Sequence, residues 1–126
     1  MFESLQRPWM GFFLRVMAVL YAMGGLVHVS NILGFGGSPW FDSPLSWRVA
    51  DVAYAFLDTG AAIGLWFRKP WGVGCFALGA ASQLVLYGFF PHHFAFTEEH
   101  RQGLRSMLAF HGVTLAALLG LLVAKK

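Results

Sequence analysis

The chain has 126 residues, of which 57% are hydrophobic and 12% charged, about half the charged share of an ordinary globular domain. So little polar surface cannot cover a water-soluble particle, which excludes a soluble enzyme and indicates an all-α integral membrane bundle. The formal net charge of +3 comes mostly from basic residues flanking apolar runs, where such residues orient helices, so nucleic acid is not an expected partner.

A hydrocarbon core of roughly 30 Å takes about 20 apolar residues per crossing, and the length fits four transmembrane helices in one domain, 1–126. The first span is read at about 10–32, after Gln6-Arg7-Pro8-Trp9. Its apolar run continues without a small-residue cleavage site, so it reads as a retained helix and not as a signal peptide. Gly34-Phe35-Gly36-Gly37-Ser38-Pro39 ends it. The aromatic residues Trp40, Phe41 and Trp47 then prefer the headgroup level, which lays this loop along the membrane surface.

The second span is read at about 48–67 and the third at about 71–90, joined through Arg68-Lys69-Pro70. So short a turn makes the two an antiparallel hairpin. A polar loop carrying His92, His93, Glu98, Glu99 and His100 leads to the fourth span, about 104–123, stopped by Lys125-Lys126. Arg7, Arg68, Lys69, Lys125 and Lys126 fall on one side of these spans, against Arg48, Arg101 and Arg105 on the other. The richer side is expected to be cytoplasmic, giving both termini inside a bacterial inner membrane.

Lipid gives helices no hydrophobic reason to associate, so close backbone approach takes that role. Small residues at four-residue spacing mark it: Gly60 and Gly64, Cys75 and Gly79, and Gly112, Ala116 and Gly120. Cys75 has no second cysteine to pair with, which removes disulfide and CxxC chemistry.

Function is sought where the sequence accepts a cost, since an ionisable side chain at the bilayer centre costs roughly 2.5 to 3.5 kcal/mol on the mildest scale. Asp58 falls at the middle of the second span, Gln83 and His111 a few ångströms outward on the third and fourth. His28 and Asp51 lie roughly 10 Å outward of the midplane on the first and second. Residues seven apart nearly eclipse on a helix, so Asp51 and Asp58 share a face with Arg48, Ala55 and Ala62. His28 shares one with Tyr21, Gly25 and Ile32, and Gln83 one with Gly79 and Tyr87. These faces are expected to converge on one outer-half polar column, with Asp51 bonding His28. Arg15, near the cytoplasmic end of the first span, reads as an interfacial anchor.

Three functional readings follow. In the first, the chain is an accessory subunit binding a membrane protein partner or a second copy, and the column of His28, Asp51, Asp58, Gln83, Tyr87 and His111 touches lipid or a quinone headgroup, with no cofactor. In the second, His28 and His111 ligate haem or a metal, or Asp58, Gln83 and Tyr87 hold a quinone. The third is a proton- or ion-coupled transporter acting as a homodimer, in which Asp58 titrates. No catalytic Ser/His/Asp set, phosphate loop or HExxH motif is present.

Arg15, Gly24-Gly25 and His28 on the first span, followed by Asp58-Thr59-Gly60, Gly64-Leu65 and Arg68 on the second, resemble the DoxX-like group of small four-helix membrane proteins. That resemblance implies a four-helix membrane fold and a role as subunit or accessory factor, in some members of quinone-reducing complexes.

Overall fold

Proline fits the first turn of a helix, where its missing N–H has no partner to lose, and it stands at or just before most helix starts in this chain. The computed structural model describes residues 2–124 and is all-helical, with no strand among the described residues. A single turn, α1 (Phe2–Leu5), precedes α2 (Pro8–Ile32), α3 (Leu45–Trp66), α4 (Pro70–Phe89) and α5 (Glu98–Val123). The last four are each long and apolar enough to cross a membrane. Lys125 and Lys126, used above for orientation, lie outside the described residues.

The helix bounds differ from the sequence reading mainly at α5, which starts at Glu98 and not near 104. Thr97 is its N-cap, its hydroxyl accepting from His100 N–H at 3.1 Å, so a polar turn precedes the apolar run. Similarly α3 begins at Leu45, on Pro44.

Two helices end on the same device, in which a left-handed residue turns the chain and two N–H groups close on the final carbonyls. At α2, Gly34 (φ 88°) donates to Asn31 C=O at 3.0 Å and Phe35 to Ser30 C=O at 2.9 Å. At α3, Arg68 donates to Leu65 C=O at 3.0 Å and Lys69 to Gly64 C=O at 2.8 Å. Arg68 adopts φ 53°, a left-handed conformation that glycine takes at less cost.

The chain divides into two compact units, Met1–Phe76 and Ala77–Lys126. In the first, α2 and α3 pack along one stripe each: Met10, Leu14, Met17, Tyr21 and Gly25 on α2, and Asp51, Tyr54, Asp58, Ala61 and Leu65 on α3 are buried. The α3 stripe thus runs through Tyr54 and Ala61, where the sequence reading had Arg48 and Ala62. Tyr21 meets Phe76 edge to face at 5.2 Å. At the α3–α4 turn the backbones of Gly64 and Gly72 touch, and a Cβ on either would collide with the other's main chain. Gly60 lies against the Cys75 side chain, its Cβ position 3.2 Å from Sγ. On α5 the small residues do no such packing. Gly112, Ala116 and Gly120 are exposed, and a Cβ on either glycine meets nothing within 4 Å.

Candidate functional site

Three side chains of the first unit converge on Asp51. Its Oδ1 lies 2.8 Å from His28 Nδ1 and accepts from Asn31 Nδ2 at 3.1 Å, both on the last turns of α2. Its Oδ2 accepts from the indole Nε1 of Trp40 at 3.0 Å, in the short 3-10 turn Trp40–Asp42 of the loop. Asn31 Oδ1 in turn fills the space a side chain on Gly36 would need. A buried carboxylate costs little when its lone pairs are satisfied by several donors, and Asp51 meets that condition.

His28 is bonded at one nitrogen and faces a second carboxylate at the other. With Nδ1–H directed to Asp51, its Nε2 stands 3.7 Å from Asp58 Oδ2. Asp58 is one full heptad below Asp51 on α3, and the intervening Tyr54 lies beside the imidazole with ring centroids 5.9 Å apart. The carboxylate of Asp58 is seated against bare helix backbone, since a Cβ on Gly24 would lie 2.7 Å from its Oδ2. Gly25 similarly abuts Thr59, 3.1 Å from Oγ1. Tyr21, one turn below Gly25 on the same face, is 4% exposed and its hydroxyl has no hydrogen-bond partner among the described residues.

In the second unit, Gln83 on α4 and His111 on α5 face one another, Gln83 Oε1 against His111 Nε2, and both are buried. With the amide oxygen accepting, Nε2 carries the imidazole proton and Nδ1 is a bare acceptor, buried and without a hydrogen-bond partner among the described residues. Thr114 returns its hydroxyl to the Phe110 carbonyl at 2.8 Å. Tyr87 packs edge to face on Phe94 at 5.2 Å.

The structure therefore joins His28 with Asp51 and Asp58, and Gln83 with His111, while Tyr87 packs on an aromatic neighbour. Among the described residues no group of three or more His, Cys, Asp or Glu side chains is placed to hold a metal ion. On the first turns of α5, Glu98 pairs with Arg101 at 2.9 Å and Arg105 at 2.8 Å, and His100 Nδ1 accepts from Phe96 N–H. Those side chains are spent on local contacts. Arg15 places its guanidinium over the Trp66 ring at 5.9 Å.

Sequence reasoning missed Asn31, Trp40 and Tyr54. Asn31 is three residues from His28, a helical neighbour, and Tyr54 is spaced three and four from the two aspartates. Trp40 carries no such signal, because the loop that delivers it is aperiodic.

No curated protein and no solved structure matches this chain. Its residues 8–125, which hold every side chain of both clusters, match the model of a family of unknown function, DUF6163, and the chain belongs to that family.

Proposed function

We propose that this is a multi-pass protein of a bacterial inner membrane, with both termini cytoplasmic, acting as a small accessory subunit that holds a proton between His28 and Asp58. The observation that carries this reading is the imidazole suspended between two carboxylates, 2.8 Å from Asp51 and 3.7 Å from Asp58. Asp51 acts as the orienting carboxylate: by accepting from Nδ1 it leaves the Nε2 lone pair toward Asp58, as outer carboxylates orient imidazoles elsewhere.

The membrane setting is supported by four long apolar helices, and the orientation by the excess of Lys and Arg on one side. Exposed large apolar side chains on each of α2 to α5 supply surface for lipid and for a membrane protein partner or second copy. Kinship with the DoxX-like group belongs to the same proposal and rests on the sequence resemblance through Gly24-Gly25 and Asp58-Thr59-Gly60. Infrared difference spectroscopy of the reconstituted protein across a pH step tests the reading. A protonated-carboxyl band that disappears in Asp58→Asn and shifts in His28→Gln is the expected result, and its absence from the wild type overturns it.

A second reading, cofactor binding, is favoured by the buried Nδ1 of His111, which has no hydrogen-bond partner among the described residues and is an open ligand position. A visible band or bound quinone in the purified protein, lost in His111→Ala, would establish it.

A further inference from the structure

On the outer face of α3, away from the buried stripe, lies a groove of about 520 Å³ lined by Trp40, Phe41, Leu45, Arg48, Val49 and Val52. Its walls are apolar and open: Phe41 is 77% exposed, Leu45 67% and Val49 61%. Arg48 is its sole charged lining residue. The Nε of Arg48 is buried with no hydrogen-bond partner among the described residues, a state that is costly for a donor. Arg48 also sits on the first turn of α3, where the helix dipole is positive and the capping residue, Pro44, supplies no side-chain acceptor.

An apolar trough with a guanidinium at one helix end, its Nε without a partner among the described residues, is complementary to one kind of molecule, an amphiphile whose anionic head sits at the helix start and whose chain runs down the helix. A guanidinium fork matches a phosphate in geometry as well as charge. We propose that this groove is a binding site for an anionic phospholipid, its phosphate on Arg48 and an acyl chain along Leu45, Val49 and Val52. The Trp40 wall of the groove is fixed from behind by Asp51, so the lipid site and the polar cluster share a residue. The proposal rests on the membrane reading above but not on proton binding.

Native mass spectrometry of the full chain, released from nanodiscs holding phosphatidylglycerol or the diacylglycerol with the same chains, tests it. One phosphatidylglycerol is retained by the wild type in preference to diacylglycerol, and Arg48→Gln weakens that retention about tenfold, the loss of one charge-assisted hydrogen bond. Val49→Trp, which fills the groove and leaves the charge, abolishes retention too. Equal retention of the two lipids, or no change in both variants, overturns the proposal. Resistance of the protein to alkaline carbonate extraction is scored on the same membranes. A chain that washes out contradicts the membrane reading and this site with it, whereas one that stays but selects no lipid contradicts the site alone.

Discussion

Gly24 and Asp58 meet so closely that a Cβ on the glycine would stand 2.7 Å from the aspartate's Oδ2. The mid-helix carboxylate is thus lodged against α2 backbone, and its position opposite His28 depends on that notch. Gly24→Ala is expected to push the carboxylate away at a cost of about 1 to 3 kcal/mol, the range for overpacking a close contact. Thermal unfolding in mild detergent reads the loss, and the protonated-carboxyl band should shift with it.

The α3–α4 turn makes a sharper contrast within one helix. Gly72 touches the Gly64 backbone, while a Cβ on Gly74, two residues on, meets nothing within 4 Å. Gly72→Ala should therefore destabilise by about 3 kcal/mol, because backbone cannot yield as a side chain does. Gly74→Ala should be neutral or stabilising by up to about 1 kcal/mol, through helix propensity alone. Unfolding midpoints of the two variants, compared side by side, check this.

Asp51 gathers donors from α2 and from the loop. Side-chain hydrogen bonds within membranes average about 0.6 kcal/mol each, so Asp51→Ala should cost about 2 kcal/mol. Asp51→Asn, which keeps an acceptor oxygen, should cost less. The indole of Trp40 loses its acceptor in Asp51→Ala, and tryptophan emission in that variant, measured against a Trp40→Phe control, should show the loop released from α3.

Arg68 occupies a left-handed position, φ 53°, and its guanidinium lies over Gly11, whose Cβ position is 3.3 Å from a terminal nitrogen. The backbone strain is worth roughly 1 to 2 kcal/mol. Arg68→Gly should relieve it and leave the turn intact, with a net effect within about 1 kcal/mol of zero once the lost side-chain packing is set against it. Arg68→Val, β-branched and unable to adopt that conformation cheaply, should destabilise more than any other change at this site. A stability series at position 68 reads both.

The helices were legible because apolar length is written directly in the sequence, and two of their ends because Gly34 and Pro70 punctuate it, whereas the start of α3 on Pro44 was read as loop. The start of α5 was not, since Glu98, Arg101 and Arg105 form a polar turn that hydropathy counts as loop; the Thr97 cap was the available signal. Depth alone brought His28 level with Asp51, and a spacing of seven set Asp58 beneath it. Trp40 was beyond reach, because its approach to Asp51 depends on the path of an irregular loop. The row of Gly112, Ala116 and Gly120 misled for a related reason: small residues permit close packing without saying what packs.

The central claim is that Asp51 fixes the imidazole of His28 so that its other nitrogen faces Asp58. Nitrogen-15 NMR of histidine-labelled protein in lipid bilayers tests this most directly, with His28→Gln identifying the resonances. The account predicts that His28 is protonated at Nδ1, that Asp51→Asn lets the other tautomer appear, and that Asp58→Asn changes the Nε2 resonance while the exposed Asp42→Asn does not. A His28 protonated at Nε2 with a bare Nδ1 in the wild type, or an Nε2 resonance indifferent to Asp58→Asn, would contradict it.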